Sequence, residues 1–480
     1  AARTDDNVTS DITVTAEFKR IELTLTYTAS MGGSITGETS QTVLYGDNGT
    51  AVTAVPEEGY EFVRWSDGVT AAARTDDNVT SDITVTAEFR LIGNTTDFAE
   101  GIGTADRPYE IETVEHLQNM ELYPNAHFTL TADITLPEVG AGESNFTPLF
   151  SDETMFGGTL DGQGHKIVNL TVYNTETFYS GLFSCISASG SVTNLTLENA
   201  SVGGTNYISG IAGYALGAVT DCTVTGSITY IGTNSNKVFA GGIAGRAEAN
   251  VDGCVTDVTV TVEDARAETN VGGIVGYLAY GGSQSEPMTL SASGSITASS
   301  SDTVSVGGLI GRSRVGLYLS ASYATGNVTS TGNDSCAGGL VGSGGLYLSA
   351  SYATGDVTST GYYSSRAGGL VGSGNSTVTD SYATGDVTST GYYSSSYAGG
   401  LVGNGNSTVT DSYATGDVTS TCNRFSSYAG GLVGRGDSTI TDSYATGNVT
   451  STSTGGDFSY AGGLVGDGNT VTVKDSYATG

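Results

Sequence analysis

Positive charge is what this 480-residue chain has least of. Lys and Arg total 17 against 50 Asp and Glu, a formal net charge of −33. So acidic a surface repels phosphate backbones and anionic bilayers, which argues against nucleic acid and an anionic membrane as partners. The charge suits the solubility of an exposed surface protein, and it leaves divalent cations as a ligand class. Proline is scarce as well, 6 residues beside 71 glycines, which excludes collagen and a Pro-rich linker. The three histidines, His116, His127 and His165, lie far apart without metal-ligand spacing. The five cysteines form no CxxC pair, so zinc is not indicated. No apolar run approaches the roughly 18 residues that cross a bilayer, so membrane insertion is not expected. There is no initiator Met and no signal peptide. The chain opens inside one repeat and closes inside another, and so reads as a window onto a longer protein whose export signal and anchor lie outside.

What is present is repetition. Ser-Tyr-Ala-Thr-Gly occurs at 322–326, 351–355, 381–385, 412–416, 443–447 and 476–480, with tyrosine spacings of 29, 30, 31, 31 and 33. Gly-Gly-Leu-Val-Gly alternates with it at 338–342, 368–372, 399–403, 430–434 and 462–466. Looser copies extend this slot back to SGLFS at 180–184, ten in all. A fixed period in this range means stacked units that bury a shared core. The first apolar position (Leu182, Ile211, Ile243, Ile274, Leu309, Leu340, Leu370, Leu401, Leu432, Leu464) is the expected buried ladder, and the flanking glycines mark sharp corners. Each repeat offers about three strands: the GGLVG region, TVTDSYATG and DVTST. The fold class expected is therefore all-β, a parallel β-helix with about 30 residues per coil. It is right-handed by the general rule for parallel crossovers, and ten coils span about 48 Å.

Four segments follow. Residues 1–18 recur letter for letter at 72–89, so 19–90 is one complete module and 1–18 the tail of an identical neighbour. Ile21, Leu23 and Leu25, and again Ile83, Val85 and Ala87, alternate as half-buried strands. Phe62 and Trp65 are expected in its core. Residues 91–180 read as the solenoid cap and first coils, with a short helix from about Thr113 to Met120 capped by Thr113. Repeats fill 181–480, and the longer stretch GGSQSEPMTL is expected to form an outward loop.

Gly46-Asp47-Asn48-Gly49-Thr50, then Glu58-Gly59-Tyr60-Glu61-Phe62 with Trp65, then Ser81 to Phe89 resemble the divergent internalin-type B-repeat of bacterial surface proteins. That resemblance implies a tandem β-rich spacer with no catalytic residues. The 98–480 region is similar to the GLUG-motif repeats of bacterial adhesins and of the non-catalytic parts of some surface peptidases. It is specific for architecture and weak for activity.

Several files of side chains are candidate sites. Asp356, Asp386 and Asp417 align, with Asn327 and Asn448 at the ends; Asp380, Asp411, Asp442 and Asp475 form another column. Their oxygens suit calcium, the one cofactor in question. The other reading is solvated turn chemistry. Thr-Ser-Thr triplets at 329–331, 358–360, 388–390, 419–421 and 450–452 place two threonine files outward, as in ice-binding β-helices. The refrain tyrosines should stack in one file. The doublets Tyr362-Tyr363 and Tyr392-Tyr393 sit in a loop and are the candidates for glycan or protein contact. Cys222 and Cys254 each follow a refrain glycine by nine residues and should stack on adjacent coils. They are either a disulfide or two thiols in a small buried slot otherwise filled by serine. Cys185, Cys336 and Cys422 have no aligned neighbour. A catalytic β-helix needs one localised cluster of acids and cations, whereas Arg312, Arg314, Arg366, Arg424 and Arg435 are scattered in sequence. No catalytic residue is assigned, and an enzyme is not expected.

The functional expectation is an extracellular adhesin or stalk segment, secreted or wall-attached. It would bind a glycan or protein on a host or neighbouring cell through many weak contacts, with self-association a further option. A purely structural filament is the alternative, and an ice-binding or polysaccharide-processing β-helix the next.

Overall fold

The structure, a computed structural model, describes residues 2–57, 60–91, 97–233, 235–280, 286–314, 316–455 and 457–480. Half of the expected outward loop, residues 281–285, lies outside the described residues, as do residues 58 and 59, where the sequence from Pro56 to Gly59 reads as a turn. The chain divides into two units, 1–95 and 96–480.

In the first unit, strands Ser40–Leu44, Glu22–Ala29, Ile83–Leu91 and Tyr60–Trp65 form one sheet in that spatial order, and Gly33–Thr36, Val52–Pro56 and Ala73–Arg74 form another. Leu25, Tyr27, Val52, Ala54, Trp65, Val79, Val85 and Ala87 make its core. Trp65 is fully buried, with its indole N–H donated to the Ala71 carbonyl at 3.1 Å, and Phe62 packs partly buried against it. Both are core residues rather than a surface platform. Arg74 lies over the Trp65 ring and pairs with Asp67 and Asp76, and Asp76 also accepts the Tyr27 hydroxyl. The 18-residue segment at 72–89 pairs in these sheets, yet its identical copy at 1–18 forms no strand and is exposed over its described residues. Strand pairing, not local propensity, decides its conformation.

The second unit is a parallel β-solenoid of about 11 coils at about 31 residues per turn. Sheets of 27, 10 and 6 strands run along it, with a five-stranded sheet at the start. The short helix Val114–Asn119 begins as expected, with the Thr113 hydroxyl accepting the His116 N–H at 3.1 Å. Its Leu117 joins Phe98, Tyr109 and Phe128 in a core that continues to Ala445. The leucine ladder is fully buried from Leu182 to Leu432.

From Ser376 on, each repeat contains five strand pieces rather than three, for example Ser376–Thr379, Tyr382–Ala383, Val387–Gly391, Ser396–Gly399 and Val402–Asn404; in the two repeats before, Val328–Gly338 and Val357–Gly368 run on as single strands and leave four. Two corners divide the expected strands. At the first, Asp380 takes a φ of +49°, a left-handed conformation Asp tolerates. At the second, the Gly-Gly of the refrain turns the chain so tightly that a Cβ on Gly339 would lie 2.0 Å from the Gly369 carbonyl oxygen. Register is fixed between these corners by a buried hydroxyl chain. Ser335 bonds Ser330 and Ser359; Ser359, Ser365, Ser389, Ser396, Ser420 and Ser427 continue it at 2.8 to 3.0 Å per step.

Candidate binding surfaces

The acidic columns serve the backbone. Asp356 accepts the Asp386 N–H at 2.9 Å, Asp386 the Asp417 N–H at 2.8 Å, and Asp417 the Asn448 N–H at 2.8 Å. Each carboxylate thus satisfies a corner of the next coil. Asp380, Asp411 and Asp442 occupy the left-handed corner, where the short polar side chain is at home. Among the described residues, no three His, Cys, Asp or Glu side chains converge on one point.

Cys222 and Cys254 do sit on adjacent coils, where the Val255 N–H meets the Cys222 carbonyl at 2.9 Å. Both are free buried thiols, so the disulfide is not formed in this structure. The slot they fill is the one that other coils give to serine. Ser351 donates its hydroxyl to the Ser349 carbonyl two residues back, at 2.7 Å. Cys222 does the same to Thr220 at 3.3 Å and Cys254 to Asp252 at 3.6 Å. Hydrogen bonding to Cys222, then burial, pushes the Cys254 thiol well up, so it stays protonated.

The refrain tyrosines form one stacked file. Ring centroids from Tyr323 through Tyr352, Tyr382, Tyr413 and Tyr444 to Tyr477 are 4.9 to 5.3 Å apart with planes within 6°. The threonine files are in register, Thr358 on Thr388 on Thr419 and Thr360 on Thr390 on Thr421, with the triplet serines inward.

The tyrosine doublets gather into one surface cluster, though only Tyr392-Tyr393 sit in a bend; Tyr362-Tyr363 lie within the strand Val357–Gly368 rather than in a loop. Tyr362 lies parallel to Tyr392 at 6.0 Å and against Tyr393 at 4.7 Å, while Tyr363 and Tyr393 meet their own neighbours edge-on. Arg424 covers the Tyr393 face at 4.6 Å. Tyr362, Tyr363 and Tyr392 keep 49%, 50% and 44% of their surface exposed, so their rings face solvent rather than the core. Hydrogen bonding to Tyr393 raises the Tyr362 phenol, which stays a neutral donor. Beside the cluster runs a cleft of about 420 Å³ whose wall is Thr331, Thr360 and Thr390 with Tyr362 and Tyr392. The arrangement offers an apolar ring face bordered by hydroxyls.

Two features escaped the sequence reading. One is a cavity of about 680 Å³ beside the cap, lined by Phe146, Phe150, Tyr173, Phe178 and Tyr179 with Glu121 and Asp152. Its signal was the aromatic density of FTPLF and ETFYS. The other is a concave elbow at the Gly-Gly corner. There the outward side chains of consecutive strands converge: Tyr207 meets Tyr214, Phe239 meets Tyr277, and Arg435 reaches the Tyr397 hydroxyl. Three of the arginines scattered in sequence, Arg312, Arg366 and Arg435, line it together with Arg246. Arg246 lies over Tyr214 and Tyr277, Arg366 over Tyr397, and Arg435 over Tyr428. Arg312 and Lys237 share Glu268 at 2.8 and 2.6 Å. Burial would raise the Glu268 carboxyl, but Lys237, Asn270 and Arg312 together hold it below its usual range. The signal was positional: Arg246, Arg312 and Arg435 each directly follow the last glycine of a refrain.

These features define a β-solenoid repeat protein with aromatic surface patches, preceded in the chain by a small β module. The "Divergent InlB B-repeat domain" matches residues 23–93, and "The GLUG motif" matches 363–388, 394–419 and 425–450, so the chain carries both. Halomucin of Haloquadratum walsbyi is 36% identical over 160 residues, covering 31% of this chain and 2% of halomucin. A putative Gly-rich membrane protein of Evansella cellulosilytica is 37% identical over 103 residues, covering 21% of this chain and 12% of that protein. The chain thus spans a small fraction of either relative. A crystal structure of a putative immunoglobulin A1 protease from Bacteroides ovatus superposes with a TM-score of 0.42 at 22% identity, over 55% of this chain and 81% of that one. Among the described residues, no helix is long and apolar enough to cross a membrane.

Proposed function

We propose that this chain is a segment of an extracellular cell-surface protein that binds saccharide through the exposed tyrosine cluster, without catalysis. The observation that carries the reading is the group Tyr362, Tyr363, Tyr392 and Tyr393, four aromatic rings on neighbouring coils beside a threonine-walled cleft. Apolar ring faces bordered by hydroxyls suit a pyranose ring, which has an apolar face and a polar rim. The solenoid holds the rings at a fixed pitch, so several weak contacts to a polymeric ligand act together. The names of the two relatives, a halomucin and a Gly-rich membrane protein, support a surface location.

A glycan array probed with this chain tests the reading. Binding to neutral saccharides is expected, and the double variant Tyr362→Ala/Tyr392→Ala should lose at least tenfold in affinity while keeping its circular dichroism. A second reading, a rigid spacer, is favoured by the unbroken tyrosine and serine files, which stiffen the rod irrespective of any ligand. Absence of binding to every glycan on the array would support the spacer instead.

A further inference from the structure

The elbow groove has a notch at its centre that the tyrosine cluster does not explain. On one wall Cys336, Arg366 and Tyr397 follow one another on successive coils. On the other wall, Ser343, Ser373 and Asn404 occupy the same three coils. Small side chains therefore face Arg366 where larger ones would close the groove. Arg312 ends this second file on one side and Arg435 on the other, four coil steps apart, or about 19 Å.

Arg366 differs from the other arginines of the elbow. Arg246 is paired with Glu248, Arg312 with Glu268 and Arg435 with Asp467. Arg366 donates through Nη1 to the Cys336 thiol at 3.6 Å, and its buried Nε has no hydrogen-bond partner. Burial holds the Cys336 thiol above its usual range, so that neighbour is neutral. Asp334 is close enough for its charge to be felt, but no hydrogen bond joins it to the guanidinium. A half-buried guanidinium with no carboxylate partner is costly unless something else accepts from its outer N–H groups. The Tyr397 ring beside it lies 6.0 Å from the guanidinium carbon.

We propose that this notch binds a carboxylated saccharide, a uronate unit of an acidic polysaccharide, separately from the tyrosine cluster. The planar guanidinium of Arg366 presents two parallel N–H donors to a carboxylate. The Tyr397 ring, almost wholly buried, backs the guanidinium, and Ser343, Ser373 and Asn404 offer hydroxyl and amide partners to the sugar hydroxyls. In a chain of net charge −33, a cation that recognises an anion must be local and recessed, and this one is.

Titration calorimetry with oligogalacturonate at 0.15 M salt, using the full chain, tests the assignment. Binding is expected, at least tenfold weaker for the methyl-esterified oligomer and for Arg366→Gln. Arg366→Lys keeps the charge and loses the fork, and should fall between Arg366→Gln and the unaltered protein. Tyr362→Ala/Tyr392→Ala should leave oligogalacturonate binding unchanged, which separates this site from the one proposed above. Equal affinity for the ester, or unchanged binding by Arg366→Gln with an unaltered melting curve, would overturn it. So would a poly-glutamate peptide binding as tightly, since the notch would then read charge alone.

Discussion

At the scale of single residues, the repeat is held in register by groups the sequence displays as mere composition. The inward serines of the triplets from Ser330 to Ser420 are links of a buried hydroxyl chain. In Ser389→Ala, the Ser396 hydroxyl loses its acceptor at 2.9 Å. An unsatisfied buried hydroxyl costs about 1–3 kcal/mol, whereas Leu401→Ala, which empties part of the leucine ladder, costs about 2–5 kcal/mol. Hydrogen exchange read coil by coil should show faster opening around each mutated coil and none near residue 200, because solenoid coils couple mainly to their neighbours. In the first unit the informative residue is Asp76. Hydrogen bonds from Arg74 hold its carboxyl below the usual range, against the opposing effect of burial, and the Tyr27 hydroxyl adds to them. Its contribution is fully present above the unfolded carboxylate pKa of about 3.9 and is lost as pH falls through the lower folded value. Trp65 is the single tryptophan and lies in that core, so its fluorescence reports this unit. Melts followed by Trp65 should show Asp76→Asn clearly destabilised at pH 7, with the difference from the unaltered protein shrinking toward pH 2.5.

At the scale of elements, what could be read from the chain and what could not divide along one line. The buried leucine ladder, the stacking of Cys222 on Cys254 and the tyrosine file depend on spacing within a fixed period, and the short helix on its local Thr113 cap; both signals are written in the sequence. The corner at Gly339 was expected from its glycines, whereas the one at Asp380 was missed because a strand pattern of alternating side chains does not record backbone φ. The arginine groove was missed because its members come from two files on either side of a corner. Arg366 and Arg435 are 69 residues apart and meet through Tyr397. The exposed copy at 1–18 beside the paired copy at 72–89 makes the same point, since partners outside the segment decide its state. Deleting residues 387–417, one coil by the Val387-to-Val418 pairing, should leave a solenoid with the same circular dichroism signature. Deleting only 387–400 joins strands out of register and should yield an aggregating protein.

At the scale of the whole molecule, repetition sorts unlike chemistries along the solenoid. Stacked tyrosines and serines build its shaft, Asp and Asn side chains secure its corners, and the exposed doublets and the elbow are the surfaces we propose for ligands. On this account function resides where repeats differ, not in the refrain they share. The most direct measurement compares the affinity of the array-selected saccharide for three proteins: the unaltered chain, Tyr362→Ala/Tyr392→Ala in the doublets, and Tyr382→Ala/Tyr413→Ala in the refrain. The account predicts a loss of at least tenfold for the doublet variant alone, with the refrain variant lowered in melting temperature but unchanged in affinity. Equal affinity in the doublet variant, or a loss confined to the refrain variant, would contradict it.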